Sequence, residues 1–247
     1  MAGIEFPEPK QELGRWWVKA RDGGIETHYH YPPVQGPHRY CFQTITSDPE
    51  LRPAEGIELA LLVSGAYYER NYYKSRNIPE WADIRAEGFS RGIRVPFTFL
   101  LTPKGHCPID RKLAGILVEK DLKGRGLQPD RSFPADGWTE KEGVYVLGDL
   151  TFVPEDKYTN RTTMVETDGL ARVVFSDRGA SIAIDAVSYM GDVPYNFFPD
   201  VKQLDAPLPL VGILLGSGGS FELSGSDADY WGFCAFGVRK SDEAKAA

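Results

Sequence analysis

Short apolar blocks separated by turn residues dominate the chain, and this pattern predicts strands. Residues 1–12 are polar and proline-broken, an extended arm. Leu13 to Ala20 carries Trp16, Trp17 and Val18 and predicts a first strand. The stretch from Gly23 to Cys41 reads as a loop or hairpin. His38 to Thr46 reads as a strand, because Tyr40, Phe42 and Thr44 suit a pleated surface. Asp48-Pro49 and Arg52-Pro53 mark turns. Ile57 to Ser64 is almost continuously apolar, and its length predicts a strand buried on both faces. Asn77 to Gly88 is the best helix candidate: Asn77 can cap it, Pro79 suits the first turn and Gly88 ends it. Ile93 to Leu101 predicts a strand with Pro96 at an edge or a bulge, since proline cannot donate to a ladder. Leu113 to Lys120 fits either a strand or a helix, and Gly115, Ile116 and Val118 favour the strand.

Lys123 to Lys141 holds Gly124, Gly126, Pro129, Pro134 and Gly137 and predicts a long loop. A domain seam would fall there, but a single β-rich domain over residues 1–247 is the simpler expectation. Val144, Val146, Leu150 and Phe152 repeat with a period of two, as in a strand. Asp168-Gly169 between Thr162–Thr167 and Leu170–Ser176 reads as a hairpin turn. Asp177 to Gly179 reads as a second turn, followed by a strand from Ala180 to Met190. Leu208–Leu215, Ser220–Leu223 and Tyr230–Val238 complete the set, and residues 239–247 form a charged tail. The expected fold is mainly β: an antiparallel β-sandwich or β-barrel with one or two short helices.

Composition leaves this picture intact. The 247 residues are 42% apolar and carry a net charge of −7. An acidic chain repels phosphate backbones and anionic lipid, so nucleic acid and membrane are disfavoured as partners. No apolar run reaches the ~20 residues that span a bilayer. The first residues lack the basic and then apolar pattern of a signal peptide, so the expected location is cytoplasmic. Cys41, Cys107 and Cys234 then read as free thiols in a reducing compartment.

Candidate chemistry gathers in the stretch from Gly23 to Cys41. It holds His28, His30 and His38, three of the four histidines; His106 is the fourth. His-x-His on a strand places both rings on one face, and imidazole is the commonest transition-metal ligand. His38 or His106 can supply a third nitrogen, and Glu26 or Gln35 an oxygen, giving an open facial site for a divalent transition metal. The same residues also fit a surface hairpin on which histidines are polar neighbours. The pattern Gly24-x3-His28-x-His30-x4-Gln35 resembles the first metal motif of cupins, with Gln35 where a glutamate usually stands. The second cupin motif is not matched, since Pro103, Gly105 and His106 have the wrong spacing.

A second cluster, residues 66–76, interleaves Tyr67, Tyr68, Tyr72 and Tyr73 with Arg70, Lys74 and Arg76. It fits sheet packing, a pocket wall or an interface, and is the one place suited to stacking single-stranded nucleic acid. Gly216 to Ser220 lacks the lysine and helix of a phosphate loop and predicts a hairpin tip. No Gly-x-Ser-x-Gly elbow is present, and Cys107 cannot pair with its strand neighbour His106. The leading expectation is a soluble β protein that binds a small apolar or aromatic ligand, with the tyrosines and Arg70 as its wall and the histidines as a metal-assisted centre. The alternative is a self-assembling or viral-type structural protein, a homo-oligomer without catalysis.

Overall fold

A computed structural model describes residues 4–5, 10–12, 15–22, 25–72, 79–89, 92–102, 105–109, 137–141, 143–148, 150–154, 168–189, 194–197, 211–217, 220–227 and 231–240. The strands are β1 (Ile4–Glu5), β2 (Lys10–Glu12), β3 (Arg15–Asp22), β4 (Ile25–Tyr31), β5 (Val34–Gln35), β6 (Leu51–Pro53), β7 (Ile93–Thr102) and β8 (Gly105–Ile109). They continue with β9 (Thr139–Lys141), β10 (Val144–Leu147), β11 (Leu150–Pro154), β12 (Tyr195–Phe197), β13 (Val211–Ser217), β14 (Ser220–Asp227), β15 (Cys234–Ala235) and β16 (Gly237–Arg239). The helices are α1 (His38–Ser47), α2 (Ile57–Tyr72), α3 (Pro79–Asp83, continuing as a π-helical turn over Ile84–Phe89), α4 (Gly169–Phe175) and α5 (Asp177–Tyr189).

The fold is therefore mixed, with helix and strand in comparable measure, and the mainly-β expectation is corrected. No closed barrel forms among the described residues: one sheet runs β1-β3-β4-β16-β6 with β2 also on β3, and a second runs β12-β14-β13-β7-β8-β11-β10-β9 with β15 bridging β5 and β7.

Three misread segments account for the correction. Ile57 to Ser64 belongs to α2, whose residues from Glu58 to Tyr67 are all buried. A helix that is apolar all round is a core helix, and Leu and Ala favour that conformation over a strand. Its start is fixed by Glu58, whose carboxylate accepts from the Glu55 backbone N–H (3.0 Å) and from Arg52 Nη1 (2.7 Å) and Nη2 (2.5 Å). Asp168 is a helix cap and not a hairpin residue: its Oδ1 accepts from the backbone N–H of Leu170 (2.9 Å) and Ala171 (3.4 Å). Ser176, at φ 67°, ends α4 and caps α5. The buried residues of α5 (Gly179, Ala180, Ala183, Ala186 and Val187) recur at helical spacing, not at the period of two. The third is His38 to Thr46, which forms α1.

Other readings hold. β3 covers the first expected strand, and α3 lies within Asn77 to Gly88. The Val144–Val153 segment splits into the hairpin β10–β11, with Leu147 opposite Leu150 and Gly148 at φ +58°. The Gly-rich stretch from Gly216 joins β13 to β14, with Ser217 opposite Ser220. Pro96 lies where the register of β7 against β13 shifts, between the pairs Arg94–Leu214 and Thr98–Gly212. Residues 113–120 and 162–167 and most of 123–141 lie outside the described residues.

One core joins both sheets through α2. Val18, Ala20, Tyr29 and Val238 of the first sheet and Ile93, Val95, Phe221 and Leu223 of the second meet α2, α4 and α5 in it. Tyr29 Oη donates to the Glu58 carbonyl (2.6 Å) at one end of α2, while Tyr67 at the other end meets Phe221 edge-on, centroids 5.7 Å apart. A smaller core on the outer face of the first sheet holds Trp17 and Leu51 under Cys41, Phe42 and Ile45 of α1.

Candidate functional site

Alternation along β3 and β4 fixes what the outer face of the first sheet carries. Val18 and Tyr29 face each other and point inward, so Trp17, Lys19 and Arg21 point outward, opposite His30, His28 and Glu26 respectively. β16 lies on the other side of β4 with Val238 against Tyr29, which turns Arg239 to the same outer face. Lys19, Arg21, His28, His30 and Arg239 therefore share one surface of an acidic chain.

Trp17 is the hub. Its ring lies edge-on to His28 (centroids 6.4 Å apart) and to His30 (6.0 Å), and the Arg239 guanidinium stacks on it at 4.3 Å. Trp17 is 1% exposed, and its Nε1 has no hydrogen-bond partner among the described residues. Two carboxylates meet Arg21 at one end of this face. Glu26 Oε2 accepts from Arg21 Nη2 (2.5 Å), Glu5 accepts from Arg21 Nη1 (3.2 Å), and His28 Nε2 lies 3.1 Å from Glu26 Oε1. The Arg21 hydrogen bond, with the charges of His28 and Lys19, holds the Glu26 carboxyl below its usual range against the opposing effect of burial.

This arrangement is a row and not a cage. Glu26, His28 and His30 follow one another at two-residue steps, so the first and last α-carbons stand ~13 Å apart. Among the described residues no group of three or more His, Cys, Asp or Glu side chains lies close enough to hold a metal ion. His38 is elsewhere, buried at the start of α1, donating from Nε2 to the Val95 carbonyl (3.1 Å) with its ring tilted at 57° to that of Phe42, centroids 4.6 Å apart. That carbonyl lies at the Pro96 bulge, where the β7–β13 ladder is interrupted. Gln35 leaves the first sheet and pairs with Cys234 in the second. His106 lies on β8 opposite Leu101, and its side chain is outside the described set.

The tyrosine cluster is separate from the histidines. Tyr67 is buried at the far end of α2, with the Arg85 guanidinium 4.9 Å above its ring. Tyr68, Arg70 and Tyr72 continue the same helix with side chains outside the described set, and Tyr73 lies outside it entirely. Tyr67 is nine residues along α2 from Glu58, the residue Tyr29 touches, which is ~13 Å of helix. The first sheet itself stands between Tyr67 and the outward histidines.

Trp17, Lys19 and Arg239 were not marked by sequence. For Trp17 and Lys19 the signal existed, since polar or aromatic residues alternate with Val18 and Ala20. Arg239 carried none, because its partner Trp17 is remote in the chain. No helix of the described residues is long and apolar enough to cross a membrane. No family model, no curated protein and no solved structure matches the chain.

Proposed function

We propose that the protein binds a small aromatic ligand at the outer face of the first sheet, beside His30 and Lys19. The observation that carries this reading is the packing of His28, His30 and Arg239 around Trp17, which fixes ring faces and cation–π donors in one place. The buried thiols of Cys41 and Cys234, neither of them in a disulfide, support a reducing, cytoplasmic setting for it. The test is a fluorescence titration with phenylnaphthylamine, an uncharged aromatic probe. Binding should saturate and should weaken about two- to fivefold in His30→Ala. The absence of saturable binding, or a His30→Ala variant with unchanged affinity and an unchanged fold, overturns the reading.

A second reading, self-assembly, draws on the exposed pair Tyr40 and Trp231, 49% and 69% exposed with rings 5.8 Å apart. Aromatic residues exposed together suit an interface between copies. Sedimentation of the wild type and Trp231→Ala tests it: a monomer in both cases removes it.

A further inference from the structure

The inner face of the first sheet is covered over only part of its length. Trp16 and Tyr31 stand opposite each other on the face that carries Val18 and Tyr29, one step nearer the end of the β3–β4 pair. There the core stops. Trp16 is 44% exposed, and Gln11, its neighbour in register on β2, is exposed as well. Tyr31 packs on the rim of the core, and its Oη donates to Oδ2 of Asp83, an exposed residue of α3 (3.1 Å). Trp81 and Ile84 are buried on one side of that helix, whereas Glu80 and Asp83, three residues apart, share another. Neither carboxylate has a cationic partner among the described residues. Arg85, two residues beyond Asp83, is turned to the Tyr67 ring instead.

We infer that this end of the inner face docks a basic segment of a partner polypeptide, with an arginine side chain on Trp16 and its positive charge facing Asp83 and Glu80. Charge complementarity selects this occupant: an exposed indole beside carboxylates that no cation neutralises is the counterpart of a guanidinium, which stacks on ring faces and bonds carboxylate oxygens with its planar fork. An apolar segment would leave both carboxylates facing it unpaired. The openness of the face selects a polypeptide over a free small cation, because one cation–π contact at an exposed site is weak and a chain is held at several points. The surface lies on the opposite side of the sheet from Trp17 and His30, so the inference stands apart from the aromatic ligand proposed there.

The test is fluorescence anisotropy with a fluorescein-labelled peptide of alternating arginine and glycine, beside its lysine and leucine counterparts. The arginine peptide should bind most tightly, and its affinity should fall as salt rises. The net charge of −7 attracts any cation weakly, so the variants carry the decision. Trp16→Ala and Trp16→Leu leave the charge unchanged, and each should weaken the arginine peptide about two- to fivefold. Asp83→Asn should weaken it by a similar factor of about two to five. Glu140→Gln, which removes one charge from the exposed strand β9, should leave it unchanged. Circular dichroism checks that each variant is folded. Equal losses in Asp83→Asn and Glu140→Gln, or a Trp16→Ala variant with wild-type affinity, reduce the binding to diffuse attraction and overturn the docking site. Tighter binding of the leucine peptide makes the face an apolar surface and overturns it too, as does no binding of the arginine peptide.

Discussion

The indole of Trp81 lies flat against Gly65 in the middle of α2, so close that a methyl group at Gly65 would stand 2.5 Å from Trp81 Cη2 and Cζ3. Trp81 is itself buried and meets Tyr29 at 6.1 Å, so the ring has nowhere to retreat. Gly65→Ala should therefore destabilise the protein by about 1–3 kcal/mol, although alanine is the better helix former. Urea unfolding measures it. A neutral or stabilising Gly65→Ala would show that Trp81 is not seated there.

Asp168 makes a second specific demand. Its side chain accepts two backbone N–H groups at the start of α4 and is buried. Asp168→Ala should cost about 1 kcal/mol, and Asp168→Asn should recover most of it. Thermal melts of the two variants decide between a cap, which tolerates asparagine, and a charge requirement, which does not.

Cys41 should be chemically silent in the native protein. Burial pushes its thiol up to about 11, against the opposing charge of Arg94. Its Sγ donates to the carbonyls of Val34 and Gly36, both at 3.3 Å. At about pH 8 only about one part in a thousand is thiolate, so iodoacetamide should leave Cys41 unmodified until denaturant is added. Peptide mapping after labelling reads this directly; rapid native labelling of Cys41 would contradict its burial.

Glu26 sets a pH dependence. Its folded-state carboxyl titrates below the ordinary value of 4.5. A depressed carboxyl stabilises the fold above its unfolded pKa and loses that contribution as pH falls through the folded pKa. Glu26→Gln should thus be less stable than wild type near neutral pH, and the gap should close on acidification below about pH 4. The effect is small because the pair is partly solvated. A gap of constant size from neutral to acid would trace it to packing instead.

What the sequence made legible follows from how local each signal is. Pro96 announced its bulge because a missing N–H acts on its own strand whatever lies beside it. Trp16, Trp17 and Val18 marked the strand that becomes β3 for the same reason, but not which of its side chains face outward. The run around Leu61 could not be assigned by periodicity, because a residue buried on every side erases the period that separates helix from strand. Asp168-Gly169 is ambiguous in kind: the aspartate that opens a tight turn is also a good helix cap, and only the residues it precedes decide. The histidine stretch was legible as a cluster, but its neighbours were not. Trp17 and Arg239, which contact those rings, arrive from other strands.

The path of residues 231–240 has a consequence for how the chain is made. Cys234 and Ala235 join the second sheet beside Ile93 and Val34, and Gly237 to Arg239 then enter the first sheet between β4 and β6. On the ribosome, β4 and β6 emerge early and must wait, each with an unpaired edge, through nearly two hundred residues of further synthesis. At about 5–20 residues per second that interval is about ten seconds or more. The first sheet is thus completed last, and a nascent chain halted before Gly237 would hold two open strand edges with no strand to fill the gap.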